Sequence, residues 1–275
     1  MSDAMSSPAV LAVALCLVAH LLADFPFQSD RVAHLKGVSA AALAEHGAWI
    51  FGLFYLAMLP FLGPIGALLF AASQALSHVL IDQVKTMLMA RARPTGPGDW
   101  SARPALTALI DQMAHLGVLA VSFRLLGSLD PSWNSGSAWL GQTAESWLGL
   151  PARTGTSTLL LIALGGILLL VNAWLGRYMI DELINPAGAA AHRGEPAHGA
   201  AIGVVERLLI VGLVLIGHWE GIAMVLGIKV LARFPRLAGD EDHRFADQFI
   251  LGTMASLALA LASAMAVRAL ILGTV

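Results

Sequence analysis

Apolar residues run along this chain in long blocks, interrupted by short stretches rich in polar residues, glycine or proline. A block of about 20 apolar residues is the length a helix needs to cross the hydrocarbon core of a bilayer. The pattern predicts eight such spans, at roughly 8–26, 41–60, 64–89, 105–127, 157–180, 201–217, 219–234 and 246–272. The second and third are joined by PFLGP, where Gly63 and Pro64 predict a tight turn. The sixth and seventh are short, separated by GHWEG, and equally readable as one bent hairpin. The fold class expected is all-α: a polytopic transmembrane helix bundle of about eight spans.

Composition sharpens this picture. Of the 275 residues 57% are hydrophobic and only 12% charged, and mean hydropathy is +0.75. A soluble domain carries about 25% charged residues. The net charge of −2 gives no basic surface for nucleic acid. A single cysteine, Cys16, excludes an internal disulfide framework and a CxxC-type zinc site. The N-terminal MSDAMSS has no basic run, so the first apolar block is expected to stay as a helix.

Lys/Arg bias predicts orientation, because cytoplasmic loops carry the excess. With the N-terminus outside, the inward loops hold twelve basic residues: Arg31, Lys36, Lys85, Arg91, Arg93, Arg103, Arg177, Arg193, Lys229, Arg233, Arg236 and Arg244. The outward segments hold two, Arg124 and Arg153. The expected location is a bacterial inner membrane with both termini outside. The chain then divides into a four-helix front half (1–127), an outward segment (128–156), a fifth span (157–184), an inward linker (185–199) and a three-span back half (200–275). In the outward segment Trp133, Trp139 and Trp147 are expected to anchor at the interface. His192 and His198 in the linker are expected to be solvated.

The polar residues inside the spans carry the chemistry. His20 and Asp24 are four apart, His78 and Asp82 repeat the spacing, and Asp111 and His115 reverse it. Residues four apart share one face of a helix. His46 stands alone at the start of the second span. In the predicted topology all seven lie within about 15 Å of the inner boundary, from a rise of about 1.5 Å per residue. An intramembrane carboxylate is costly unless paired or hydrated, and a divalent cation relieves several at once. Imidazole and carboxylate suit zinc, manganese or iron. Four histidines and three aspartates are enough for two ions with an open position for water. The expected ligands are therefore His20, Asp24, His46, His78, Asp82, Asp111 and His115, with Asp24, Asp82 or Asp111 free to serve as general base. Gln28 shares the face of Asp24 and is expected beside the site; Gln83 and Gln112 neighbour the pairs. In the back half Arg207, Lys229 and Arg233 are candidates to bind an anionic headgroup, against a simpler role in anchoring at the inner face.

HLLADFPFQSD, then HVLIDQVK, DQMAHL and the tail ERLLI…GIKVLARF…DQFILGTMASL, resembles a bacterial family of multi-pass membrane proteins known only as a domain of unknown function. A weaker similarity is to bacterial inner-membrane proteins described as membrane-bound metal-dependent hydrolases. HExxH is absent, so a zincin mechanism has no support. The expected function is hydrolysis of a lipid-linked or other anionic substrate at the inner leaflet. Two other classes use the same residues: a proton- or metal-coupled transporter, and a non-catalytic scaffold or sensor held by interhelical hydrogen bonds. The substrate partner is a membrane lipid or lipid-linked molecule, and the sequence leaves the oligomeric state open.

Overall fold

The computed structural model describes residues 7–91, 104–129, 146, 155–184, 198–241 and 243–272. The anchors Trp133, Trp139 and Trp147, and His192 in the linker, lie outside the described residues. Among the described residues every regular element is helical. They are α1 (Pro8–Asp24), α2 (Asp30–Leu35), α3 (Ala40–Arg91), α4 (Pro104–Leu129), α5 (Gly155–Leu170), a π-helical turn (Val171–Leu175), α6 (Gly176–Ile184), α7 (His198–Ile216), α8 (Glu220–Ala238) and α9 (Arg244–Leu272).

Local chemistry sets the boundaries that matter. Pro8 opens α1, where its missing N–H costs nothing, and the helix ends just ahead of Pro26. Ser29 caps α2 by accepting a hydrogen bond from the Val32 amide at 3.3 Å. α3 is 52 residues long and contains a break at Gly63, with φ 66 and ψ 179. A straight helix of that length would span about 78 Å. Instead Nε2 of His46 lies 3.1 Å from Nε2 of His78, so the two arms of α3 fold back on each other at the predicted PFLGP turn. Only glycine adopts the backbone conformation of Gly63 without strain.

The burial pattern is inverted relative to a soluble protein. Leu56, Ile65, Leu69, Leu76 and Leu80 are exposed, while His20, Asp24, His46, His78, Asp82, Asp111, His115, Asn172 and Arg207 are buried. Apolar surface outside and polar groups inside is the distribution that hydrocarbon solvent selects. α1 is largely buried, through Ala12, Ala14, Ala19 and Ala23 among others, and packs against α3 and α5. Small side chains let neighbouring helices approach closely. Cys16 is fully buried in this packing. α7 and α9 form the corresponding tight pair at the back.

Five helices are long and apolar enough to cross a membrane: Ala40–Met89, Ala105–Ser128, Thr156–Ile184, Gly199–Ile216 and Arg244–Leu272. The expected count of about eight is not reached on this measure. α3 counts once although it folds back, α1 has only 17 residues, and the seventh predicted span is α8. That helix has no buried residue and carries Lys229, Arg233 and Arg236 along its length. The turn GHWEG separates it from α7, with Gly217 at φ 80.

Candidate metal centre

All seven residues singled out in the front half meet in one buried cluster. α1 delivers His20 and Asp24 on its last turn, the two arms of α3 deliver His46 and the His78–Asp82 pair, and α4 delivers Asp111 and His115. The close approach of the α3 arms depends on Gly47, where a Cβ would sit 3.2 Å from the Val79 side chain. None of the seven is more than 9% exposed.

His78 is the hub. Its Nε2 lies 3.1 Å from Nε2 of His46, 3.0 Å from Oδ1 of Asp24 and 3.8 Å from Oδ2 of Asp82. Nε2 of His46 lies 3.4 Å from that same Asp24 oxygen and 3.4 Å from Oδ2 of Asp82. The His78 ring also stacks on His115, with centroids 3.8 Å apart and planes at 13°. On the far side Oδ1 of Asp111 is 3.7 Å from Nε2 of His115.

Hydrogen bonding does not account for this convergence. Oδ1 of Asp24, Nδ1 of His46, Oδ1 of Asp111 and Nε2 of His115 are buried with no hydrogen-bond partner among the described residues. Asp24 Oδ1 is near two imidazoles, yet neither is aligned to donate to it. A buried polar atom left without a partner costs roughly 1–3 kcal/mol. Four of them in one place is the mark of a site completed by something else.

The donor set fits a first-row divalent ion. Ligand atoms at about 2.0–2.1 Å from one ion, arranged tetrahedrally, lie ~3.3 Å from one another. The quartet of His46, His78, Asp24 and Asp82 has separations of 3.0, 3.1, 3.4, 3.4 and 3.8 Å across five of its six edges. Three overlapping groupings have donor atoms close enough to share an ion: His46 with His78 and Asp82, His20 with Asp24 and His78, and Asp82 with Asp111 and His115.

Three residues outside the predicted set shape the cluster. Lys36 Nζ donates to Oδ2 of Asp82 at 2.8 Å and to Oε1 of Gln28 at 2.8 Å. Lys85 Nζ donates to Oδ2 of Asp111 at 2.8 Å. Gln112 joins α4 to α1: its Nε2 donates to Asp24 Oδ2, and its Oε1 accepts from His20 Nε2, both at 3.2 Å. Gln112, not Gln28, therefore contacts Asp24. Lys85 had a legible signal, since it stands three residues after Asp82 on the same helical face. Lys36 had none, because a loop folds it back over α3. That fold needs Gly37, where a Cβ would lie 2.9 Å from Cγ2 of Thr86.

Two cavities adjoin the cluster. One of about 10 Å³, room for a single water, is lined by His20, His78, His115, Gln74 and Ser77. The other, about 330 Å³, runs along the outside of the bundle between α3 and α4. Its walls are Leu80, Val84, Leu88 and Ile110, and it reaches Lys85 and Asp111. The back-half candidates lie apart from these: Arg207 and Lys229 line a separate cavity, whose described lining does not include Arg233.

Residues 12–140 match the model of a family described as Protein of unknown function (DUF3307). The matched stretch contains the whole cluster. No curated protein and no solved structure matches the chain.

Proposed function

We propose that this DUF3307 region holds one divalent metal ion between His46, His78, Asp24 and Asp82, and that the protein is a membrane hydrolase acting on an ester or phosphoester carried by a lipid-like chain. The observation that carries the proposal is the set of separations within the quartet, which suits tetrahedral N₂O₂ ligation of zinc, manganese or iron.

Charge balance favours one ion over the two that ligand number alone allows. Three carboxylates (Asp24, Asp82, Asp111) against two ammonium groups (Lys36, Lys85) leave a net charge of −1 with neutral imidazoles. One divalent ion brings the cluster to +1, and two would bring it to +3, a steep cost at a buried site.

When bound, the ion supplies a Lewis acid that lowers the pKa of a water toward neutrality. The remaining tasks belong to the chain. The α3–α4 groove binds the apolar tail, and its walls match hydrocarbon. Where the groove reaches Lys85 and Asp111, the ammonium offsets negative charge on the ester or phosphoester oxygen. His115 Nε2, which has no hydrogen-bond partner among the described residues and lies beside the water-sized cavity, holds or moves the proton. Gln112 fixes the orientation of His20 and Asp24.

A second reading is favoured by the lysines. Lys36 and Lys85 each hold a carboxylate oxygen that tight ion binding would otherwise use, as expected if protons or ions pass through the cluster in transport. Elemental analysis of purified protein, with assay of long-chain nitrophenyl esters and phosphoesters, separates the two. The hydrolase reading expects one ion per chain retained through purification and turnover of such a substrate, both lost in Asp24→Ala and His78→Ala. An ion that exchanges freely, with no turnover, overturns it.

A further inference from the structure

The back half contains a cavity of about 370 Å³ that the cluster does not use, on the opposite side of α6. One face of α6, Arg177, Ile180, Asp181 and Ile184, lines it. Tyr178, on another face, turns toward Phe25 at the end of α1, with ring centroids 6.4 Å apart. A single short helix therefore separates the two sites.

The centre of this cavity is Arg207. Its side chain is 3% exposed, and among the described residues no carboxylate lies within ion-pair distance of it. Nε donates to the carbonyl of Asn172 in the π-helical turn at 2.7 Å, and Nη1 donates to Oγ of Ser256 at 3.2 Å. These bonds fix the guanidinium plane and leave Nη2 without a bond among the described residues. Gly176 makes room: a Cβ there would lie 3.2 Å from Nε. The Glu206 carboxylate acts on this guanidinium only from a distance and is itself paired with Lys229, so a bound anion would complete the site.

Two independent features point the same way. Thr253 lines the cavity, is 8% exposed, and its Oγ1 is buried with no hydrogen-bond partner among the described residues. The first turn of α7 lines it through Gly199 and Ala200, with Gly203 one turn on. The first N–H groups of a helix have no partner within it, and glycine lets an anion approach them closely. The charged lining residues are Arg177, Arg207 and Lys229 against Asp181, and Lys229 is paired with Glu206.

We propose that this cavity is a binding site for a phosphate group, held by Arg207, Thr253 and the first turn of α7, and independent of the metal centre. A fixed guanidinium, a hydroxyl and the N–H groups at a helix start together match a tetrahedral oxyanion with several acceptors. The phosphate is that of a lipid headgroup or of a small soluble molecule, and the test separates these sources.

Full-length protein is reconstituted in nanodiscs of phosphatidylcholine alone, or of phosphatidylcholine with phosphatidic acid. Inorganic phosphate binding is followed by calorimetry and retained phosphatidic acid by native mass spectrometry. Saturable binding of inorganic phosphate in phosphatidylcholine discs supports a soluble source. Selective retention of phosphatidic acid supports a lipid source. In either case Thr253→Val, which keeps side-chain shape, weakens binding about tenfold, and Arg207→Gln abolishes it. Asp24→Ala leaves it unchanged. Binding of neither probe, or equal binding by wild type and Thr253→Val, overturns the proposal. Loss of phosphate binding in Asp24→Ala overturns its independence from the metal centre, whereas loss of metal alone bears only on that centre.

Discussion

His46 and His78 stand 32 residues apart in the chain and meet with their Nε2 atoms 3.1 Å apart, within reach of the same oxygen of Asp24. Two imidazole nitrogens pointed at each other can share one proton or one ion. Which of these they share is the question on which the chemistry of the front half turns.

Removing Lys36 distinguishes the answers by sign. In Lys36→Met the ammonium 2.8 Å from Asp82 Oδ2 is gone, so a competing positive charge leaves a ligand oxygen. Metal affinity is expected to rise, while the metal-free protein loses thermal stability because a buried carboxylate loses its partner. Zinc titration and melting in detergent measure both. Unchanged affinity argues that Asp82 is not a ligand.

Gln112→Leu removes the link that orients His20 and Asp24 together. Groups that orient metal ligands are typically worth 10–100-fold in affinity. A loss of this size with the fold intact is expected by equilibrium dialysis against a chelator. An effect below about twofold would show that Gln112 only packs.

Acidification is expected to release the metal. Protons and the ion compete for the same imidazole lone pairs, so apparent affinity falls as pH drops. Metal retained against pH is read by elemental analysis after buffer exchange. Retention that is flat from pH 8 to about 5 is incompatible with histidine ligation.

Gly63→Ala tests the turn that creates the cluster. With φ 66 and ψ 179, an alanine there is strained by roughly 1–3 kcal/mol. Thermal unfolding in detergent should show that loss, together with weaker metal binding, because the turn sets which residues of the two α3 arms lie opposite each other.

Much of the front half was legible because helical periodicity is local. His20 with Asp24, His78 with Asp82, and Asp111 with His115 announce themselves by a spacing of four, and the length of the apolar runs announces the solvent. Gly63 and Pro64 announce the reversal between His46 and His78. Gln112 was visible as a neighbour of Asp111 but not as the link to α1, and Lys36 was not legible at all, since it reaches the site from a separate segment of chain.

By itself the sequence determined the elements: apolar helices, their turns, and the polar residues each helix carries into the bundle. Tertiary structure alone decided the partnerships. It gave Asp82 and Asp111 to lysines, put Gln112 rather than Gln28 on Asp24, and set Arg207 in a cavity of its own behind α6. The physical reason is range. Periodicity and turn propensity act over a few residues, whereas distances between side chains on different helices follow from how those helices pack, which small residues such as Gly37, Gly47 and Gly176 permit without specifying who meets whom.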